Sequence, residues 1–222
     1  MKHVPQDKYN VAWFTLAECV ARGEKVRALG VYRLLSYSIE DTAFRRQLEG
    51  DILLAFQDKD DAIVKYKDAA SLYQKSGKQR EAVAVYEHLM NLEPEKYEYL
   101  SILIELYTQL NINSKVVANL KQLFEVQLHR HDFKAAEQTL ALLDNLIDVS
   151  QICCQHEQIT FALMQQDCRD QEKILLHIKA AVDGFLQSDD NRALQKFLST
   201  LEGLNPSYAI EACRFAQDDQ KA

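Results

Sequence analysis

Residues that stop and start helices recur along this chain at nearly constant spacing, and that regularity limits the fold more than any single motif does. The breaks are Arg22-Gly23-Glu24, Glu40-Asp41, Asp58 to Asp61, Ser76-Gly77-Lys78, Glu93-Pro94-Glu95 and Asn111 to Ser114. They continue at His131-Asp132, Asp148-Val149-Ser150, Asp167-Cys168-Arg169-Asp170, Ser188 to Asn191 and Asn205-Pro206. Ser, Asp and Asn offer side-chain acceptors to the first amides of a helix, while Gly and Pro end one. Successive breaks fall about 18 residues apart, the length of one helix with its turn, so the chain divides into about twelve helices. Six Gly and three Pro among 222 residues, with 47% apolar content, suit an all-α chain with ample material for a core.

The segments between breaks are amphipathic at helical period. Residues 97 to 110 align Leu100, Leu103, Ile104 and Tyr107, and residues 114 to 128 align Val116, Leu120, Leu123 and Phe124. The clearest unit is 63–96. One helix there places Tyr66, Ala69, Ala70 and Tyr73 on a face, a second places Ala82, Tyr86 and Leu89, and Pro94 closes the pair. Small residues at Ala70 and Ala82 allow close helix approach, and the tyrosine rings fill the space around them. This pattern resembles the tetratricopeptide repeat (TPR). The resemblance implies a right-handed α–α superhelix, an α-solenoid of antiparallel helices, running through 1–222 as a single domain. Leu103 and Tyr86 are expected in its core.

Shifting the 63–96 frame by one repeat gives 97–130, with Ile104 and Val116 at the small positions. The frame 9–42 matches through Ala28, Tyr32 and Leu35 after a turn at Gly23, although Ala12 and Thr15 stand where larger residues are usual. A frame from residue 43, with Gly50 as its small position and Ala62, Tyr66 and Ala69 opposite, claims the helix at 61–75 a second time. The reading adopted is that this helix stacks on both neighbours. Residues 131–222 keep the period without the signature and form a degenerate extension.

Composition narrows the function classes. The formal charge is −7, with 15 basic and 17 acidic residues in 1–111 and 11 basic and 16 acidic in 112–222. A field of that sign repels nucleic acid. Five cysteines, two of them adjacent at Cys153 and Cys154, suit a reducing compartment. No apolar run reaches the roughly 20 residues of a membrane span, and the N-terminal stretch lacks a signal-peptide pattern. A cytoplasmic protein is expected.

Clusters that carry chemistry elsewhere read as structural. Asp58, Asp60 and Asp61 begin like a calcium loop, but Ala62, Ile63 and Ala69 stand where a ligand, the turn glycine and the bidentate acid belong, so a solvated cap is expected. Cys153 and His156 share a helix face near Cys154 and Cys168, yet no second paired motif completes a zinc site, and buried free thiols are the reading. His129 and His131 around Arg130 read as a helix C-terminal cap. No phosphate loop, nucleophile elbow or zinc-protease helix occurs. Neither an enzyme nor a cofactor is expected.

What the TPR resemblance implies is a protein-interaction scaffold. Its groove-facing positions would be Lys67, Ser71, Gln74 and Lys75, then Glu98, Ser101, Glu105, Thr108 and Gln109. One TPR subclass grips a C-terminal carboxylate through Asn and Lys; the corresponding positions here hold Ala17, Asp51, Ser71 and Glu105, a departure from that subclass. The mixed to acidic groove suits a basic or amphipathic peptide or helix. The alternative is a structural subunit of a complex or homo-oligomer, joined through apolar residues of the end helices such as Trp13, Phe14, Leu16, Tyr208, Ile210 and Phe215.

Overall fold

The computed structural model describes residues 6–165 and 170–219. Its helices are α1 (Gln6–Ala21), α2 (Lys25–Ser36), α3 (Thr42–Ala55), α4 (Lys59–Lys75), α5 (Gln79–Leu92), α6 (Glu98–Gln109), α7 (Asn113–His129), α8 (Phe133–Asp144), α9 (Cys153–Gln165), α10 (Gln171–Gln187), α11 (Asn191–Leu204) and α12 (Pro206–Asp219). A single 3-10 turn, Val149–Gln151, precedes α9, and no strand occurs among the described residues. The turns fall at the breaks read from the sequence. That at Asp167 to Arg169, with Cys168, lies outside the described residues. Two compact units form, one ending at Asn111 and one beginning at Ile112. The 97–130 frame therefore runs from α6 of the first unit into α7 of the second.

Most helix links share one backbone device. A residue with positive φ ends the helix at Gly23, Gln57, Gly77, Asn111, His131 and Asp189. Where it does so at Gly77, its amide donates to the Gln74 carbonyl at 3.1 Å and the next amide, of Lys78, donates to the Tyr73 carbonyl at 2.9 Å. This pairing satisfies carbonyls that a helix end would leave bare. Gly23 and Gln57 lie 34 positions apart, as do Gly77 and Asn111, so the repeat period is written in the backbone as well as in the side chains. The following helix starts at once. Asp132 and Asp190 accept from the amides of Ala135 and Ala193 at 3.1 and 2.9 Å. Asp58 departs from the expected cap: it occupies the N-cap position of α4 but bonds no amide there, and its carboxylate pairs with Lys25 of α2.

In the first unit α4 packs on both α3 and α5, as the stacking reading holds. Against α3, Tyr66 lies where a side chain at Gly50 would be: an added Cβ would come within 2.9 Å of the ring. The Tyr66 hydroxyl donates to Asp51 Oδ1 at 2.7 Å, and Tyr73 donates to Gln47 Oε1 at 2.9 Å. Against α5, Ala69, Ala70 and Ala82 are fully buried, and the Tyr66 ring meets His88 edge-on at 4.8 Å. Leu103 and Tyr86 are buried. At the start of the unit, Leu16, Cys19, Ala28, Tyr32, Leu35 and Ile52 form a core flanked by Trp13, Leu48 and Phe56.

In the second unit α10 is the central element, packed on α9, α11, α12 and the 3-10 turn. Phe197 of α11 meets Phe161 at 5.5 Å and Phe185 at 5.9 Å. Gly184 brings α10 onto the chain before α9, where an added Cβ would lie 2.6 Å from both the Val149 carbonyl oxygen and Cys153 Cβ. Because one obstacle is backbone, Gly184→Ala must move the helix and should cost about 3 kcal/mol or more. Gly77→Ala, with open space around it but φ of +73°, should cost only about 1–2 kcal/mol. Urea unfolding of both variants beside the wild type checks the order.

Candidate interaction surface and a buried histidine pair

The predicted groove residues on α6 lie on its solvent side: Glu98, Ser101, Glu105, Thr108 and Gln109 are all exposed. Thr108 returns its hydroxyl to the Ile104 carbonyl at 2.7 Å, and Gln109 donates to Glu105 while accepting from Gln79 of α5, both at 3.3 Å. No Lys or Arg occurs in α6, so the charge of this row is that of Glu98 and Glu105.

The α4 positions divide. Lys75 is exposed and Ser71 half-buried, whereas Gln74 accepts from the Tyr86 hydroxyl at 3.2 Å. Lys67 is expected to be free for a partner, and the structure gives it an internal task. Its ammonium lies 3.2 Å from Glu93 and 5.8 Å from the centre of the Tyr99 ring. Glu93 also receives Lys96 at 2.5 Å and the Tyr99 hydroxyl. Burial opposes the charge on Glu93, but donors from Lys96, Tyr99 and Lys67 outweigh it and hold the carboxyl down to about 2. Lys67 and Tyr99 thus tie α4 to α6 through the link between α5 and α6. Sequence spacing could not expose this, because Glu93 sits in a turn whose return path the helical period does not specify.

Hydroxyl-to-carboxylate bonds recur through the unit. Tyr107 donates to Glu87 at 2.5 Å, Tyr66 to Asp51, Tyr99 to Glu93, and Tyr32 donates to the Arg45 carbonyl at 2.8 Å beside Glu49. Burial first, and then the adjacent acid, pushes the Tyr66, Tyr99 and Tyr107 hydroxyls above their ordinary range. They remain protonated donors, a positioning role. Between α3 and α5, above Tyr66, lies a cleft of about 250 Å³ lined by Gln47, Asp51, Ala84, Val85 and His88. Asp51 carries its only carboxylate.

The second unit holds a buried cluster that local spacing does not reveal. His156 and His177 bring their Nδ1 atoms to 3.1 Å, and His156 Nε2 lies 3.0 Å from Asp144 Oδ1. One ring donates its Nδ1–H to the Nδ1 of the other. His177 Nε2 then faces Glu137 Oε1 at 3.9 Å, and Glu137 also takes Lys173 at 2.9 Å. The partners come from α8, α9 and α10, with the histidines 21 positions apart, too far for a helix-face argument. Cys153 is buried, and burial together with Cys154 pushes its thiol up to about 11; Cys154 and Cys213 are exposed free thiols. Among the described residues no group of three or more His, Cys, Asp and Glu is arranged to hold a metal ion. His129 Nδ1 lies 2.7 Å from the Glu125 carbonyl one turn back in α7, and the helix end itself is closed by the Arg130 amide on the Val126 carbonyl.

Stacked helical hairpins with Tyr66, Ala70, Tyr73, Ala82 and Leu89 buried between them define the architecture. It is an all-α helical repeat. No family model and no curated protein matches the sequence. Among solved structures, the chain is similar to the C-terminal part of a TPR repeat-containing protein from Cytophaga hutchinsonii, with 9% identity, 94% of this chain and 93% of that chain covered, and a TM-score of 0.34. It is also similar to a tetratricopeptide repeat protein from Parabacteroides merdae, at 16% identity, 95% and 99% coverage and a TM-score of 0.27. A third structure is Naa15/Naa10 bound to HypK-THB, at 15% identity, 96% and 40% coverage and a TM-score of 0.27.

The histidine pair generates a pH dependence. Burial first, then His156 and Lys173, lowers His177 to about 4 from an ordinary 6.5. A histidine lowered on folding binds its proton more readily in the unfolded chain, so its contribution to stability is full above pH 6.5 and is lost as pH falls towards 4. Denaturant unfolding of the full chain across that interval should show this loss. His177→Gln should reduce the slope by about one proton.

Proposed function

We propose that the chain is a non-enzymatic scaffold that binds a peptide or helical segment of a protein partner along the face of α4 and α6. The observation that supports this reading most is the row Glu98, Ser101, Glu105, Thr108 and Gln109. Its side chains are exposed, while Tyr99, Leu100, Leu103, Leu106 and Tyr107 of the same helix are buried. Since Lys67 is engaged by Glu93, the uncommitted charge of the face is acidic on α6 and basic at Lys75 on α4. A basic or amphipathic segment fits it, with the two ends fixing direction more than strength. Among the described residues no helix is long and apolar enough to cross a membrane. A second reading, assembly through the end helices, draws support from Phe14, 76% exposed, and Ile210, 68% exposed, whereas Leu16 is buried and Trp13, Tyr208 and Phe215 are half-buried.

The test is charge reversal on α6. Glu98→Lys with Glu105→Lys should leave the circular dichroism spectrum unchanged and the Tm within about 2 °C, because both sites are exposed, and should abolish recovery of partners from lysate. Unchanged recovery would move the binding surface elsewhere. Lys67→Glu serves as a contrast: it sets a second acid against Glu93 and should lower the Tm by several degrees, roughly 1–2 kcal/mol of stability.

A further inference from the structure

We propose that the solvent face of α2 is a docking site for an acidic, amphipathic α-helix of another protein, a second surface independent of the α6 row. Val26, Gly30, Leu34 and Tyr37 succeed one another at helical spacing, opposite the buried Ala28, Tyr32 and Leu35. Val26 is 88% exposed, Leu34 72% and Tyr37 89%. One exposed apolar residue needs no explanation, but a row along one helix marks a contact surface. Gly30 sharpens the reading. In the middle of an exposed helix it sacrifices about 1 kcal/mol relative to Ala, and no atom lies within 4 Å of where its Cβ would be, so no internal contact accounts for it. Between Val26 and Leu34 it leaves a notch in which a partner's side chain can approach the backbone, as a knob enters a hole.

Charge selects the occupant. Although the whole chain has a formal charge of −7, α2 carries Lys25, Arg27 and Arg33 and no carboxylate. Arg27 and Arg33 flank the stripe on its two sides; Arg27 bonds Glu24 at 3.0 Å, and Arg33 has no ion-pair partner among the described residues. A second copy laid on the same stripe would bring these cations together, whereas Glu or Asp beside the seam of an apolar helix would meet them. Three side chains around a glycine notch make a small contact, under about 1,200 Å², of the size of transient complexes.

The full chain is titrated by fluorescence anisotropy with a labelled synthetic helix of about 20 residues, Leu at the seam and Glu beside it, and with a control bearing Lys in place of Glu. The Glu helix should bind at least tenfold more tightly than the Lys helix and weaken with salt, about 1.4 kcal/mol of discrimination. Leu34→Glu should remove binding with the fold intact. Gly30→Ala should raise the Tm by a few degrees yet weaken binding about tenfold, a combination that a structural role alone does not give. Glu98→Lys with Glu105→Lys should bind the probe as the wild type does, which separates failure of this site from failure of the α6 face. Absent or equal binding of the two helices, or binding unaffected by Gly30→Ala, overturns the proposal. So does a dimer in sedimentation velocity that Leu34→Glu dissolves.

Discussion

The first unit depends on one phenol ring in one gap. Tyr66 occupies the space that the absent side chain of Gly50 leaves on α3, and its other edge meets His88 on α5, so three helices are spaced by a single residue. A ring of that size brings a large apolar area into the core, but its hydroxyl cannot be left dry. Asp51, one residue after Gly50, takes the proton bond, so the notch and its acceptor come from the same turn of α3. Close approach and polar satisfaction are solved together.

The same chemistry recurs where the hairpins meet solvent. Tyr99 reaches Glu93 and Tyr107 reaches Glu87, each keeping its ring inside and its oxygen at an acid near the surface. These bonds fix the angle at which a tyrosine leaves the core, a constraint that a phenylalanine would not supply. They also occupy carboxylates, which is why the acidic character of the chain is unevenly available. Glu93 is fully engaged, while Glu98 and Glu105 remain at the surface. The surface charge that a partner meets is what internal bonding leaves over.

Helix number, turn positions and the buried faces of α2 and of α4 to α7 were legible in the sequence, because caps and apolar periodicity are local signals. Tyr86 and Leu103 are buried as the 3.6-residue period requires. The shared role of α4 was legible too, through the frame that claims Gly50 and the frame that claims Ala82. The partners of polar side chains were not. Lys67 finds Glu93 across a turn, Asp58 finds Lys25 on another helix, and His156 finds His177 on the next one. Each contact depends on how far one helix rotates against its neighbour, and a periodic pattern does not encode that rotation. Of the candidate groove, the α6 half is exposed as its period implies, and the α4 half is partly drawn inward by these contacts.

The backbone-bonded links also differ from the rest in what they allow. Where a left-handed residue leads straight into the next cap, as at Gly23, Gln57 and Gly77, the number of residues between helices is fixed by hydrogen bonds. The links at 37–41, 93–97 and 145–152 have no such residue. The first kind sets its length through the backbone, whereas at 93–97 and 145–152 side chains and packing hold the link, Glu93 by Lys67, Lys96 and Tyr99 and Val149 against Gly184, so a single substitution can loosen such a link without touching the backbone pattern of either helix.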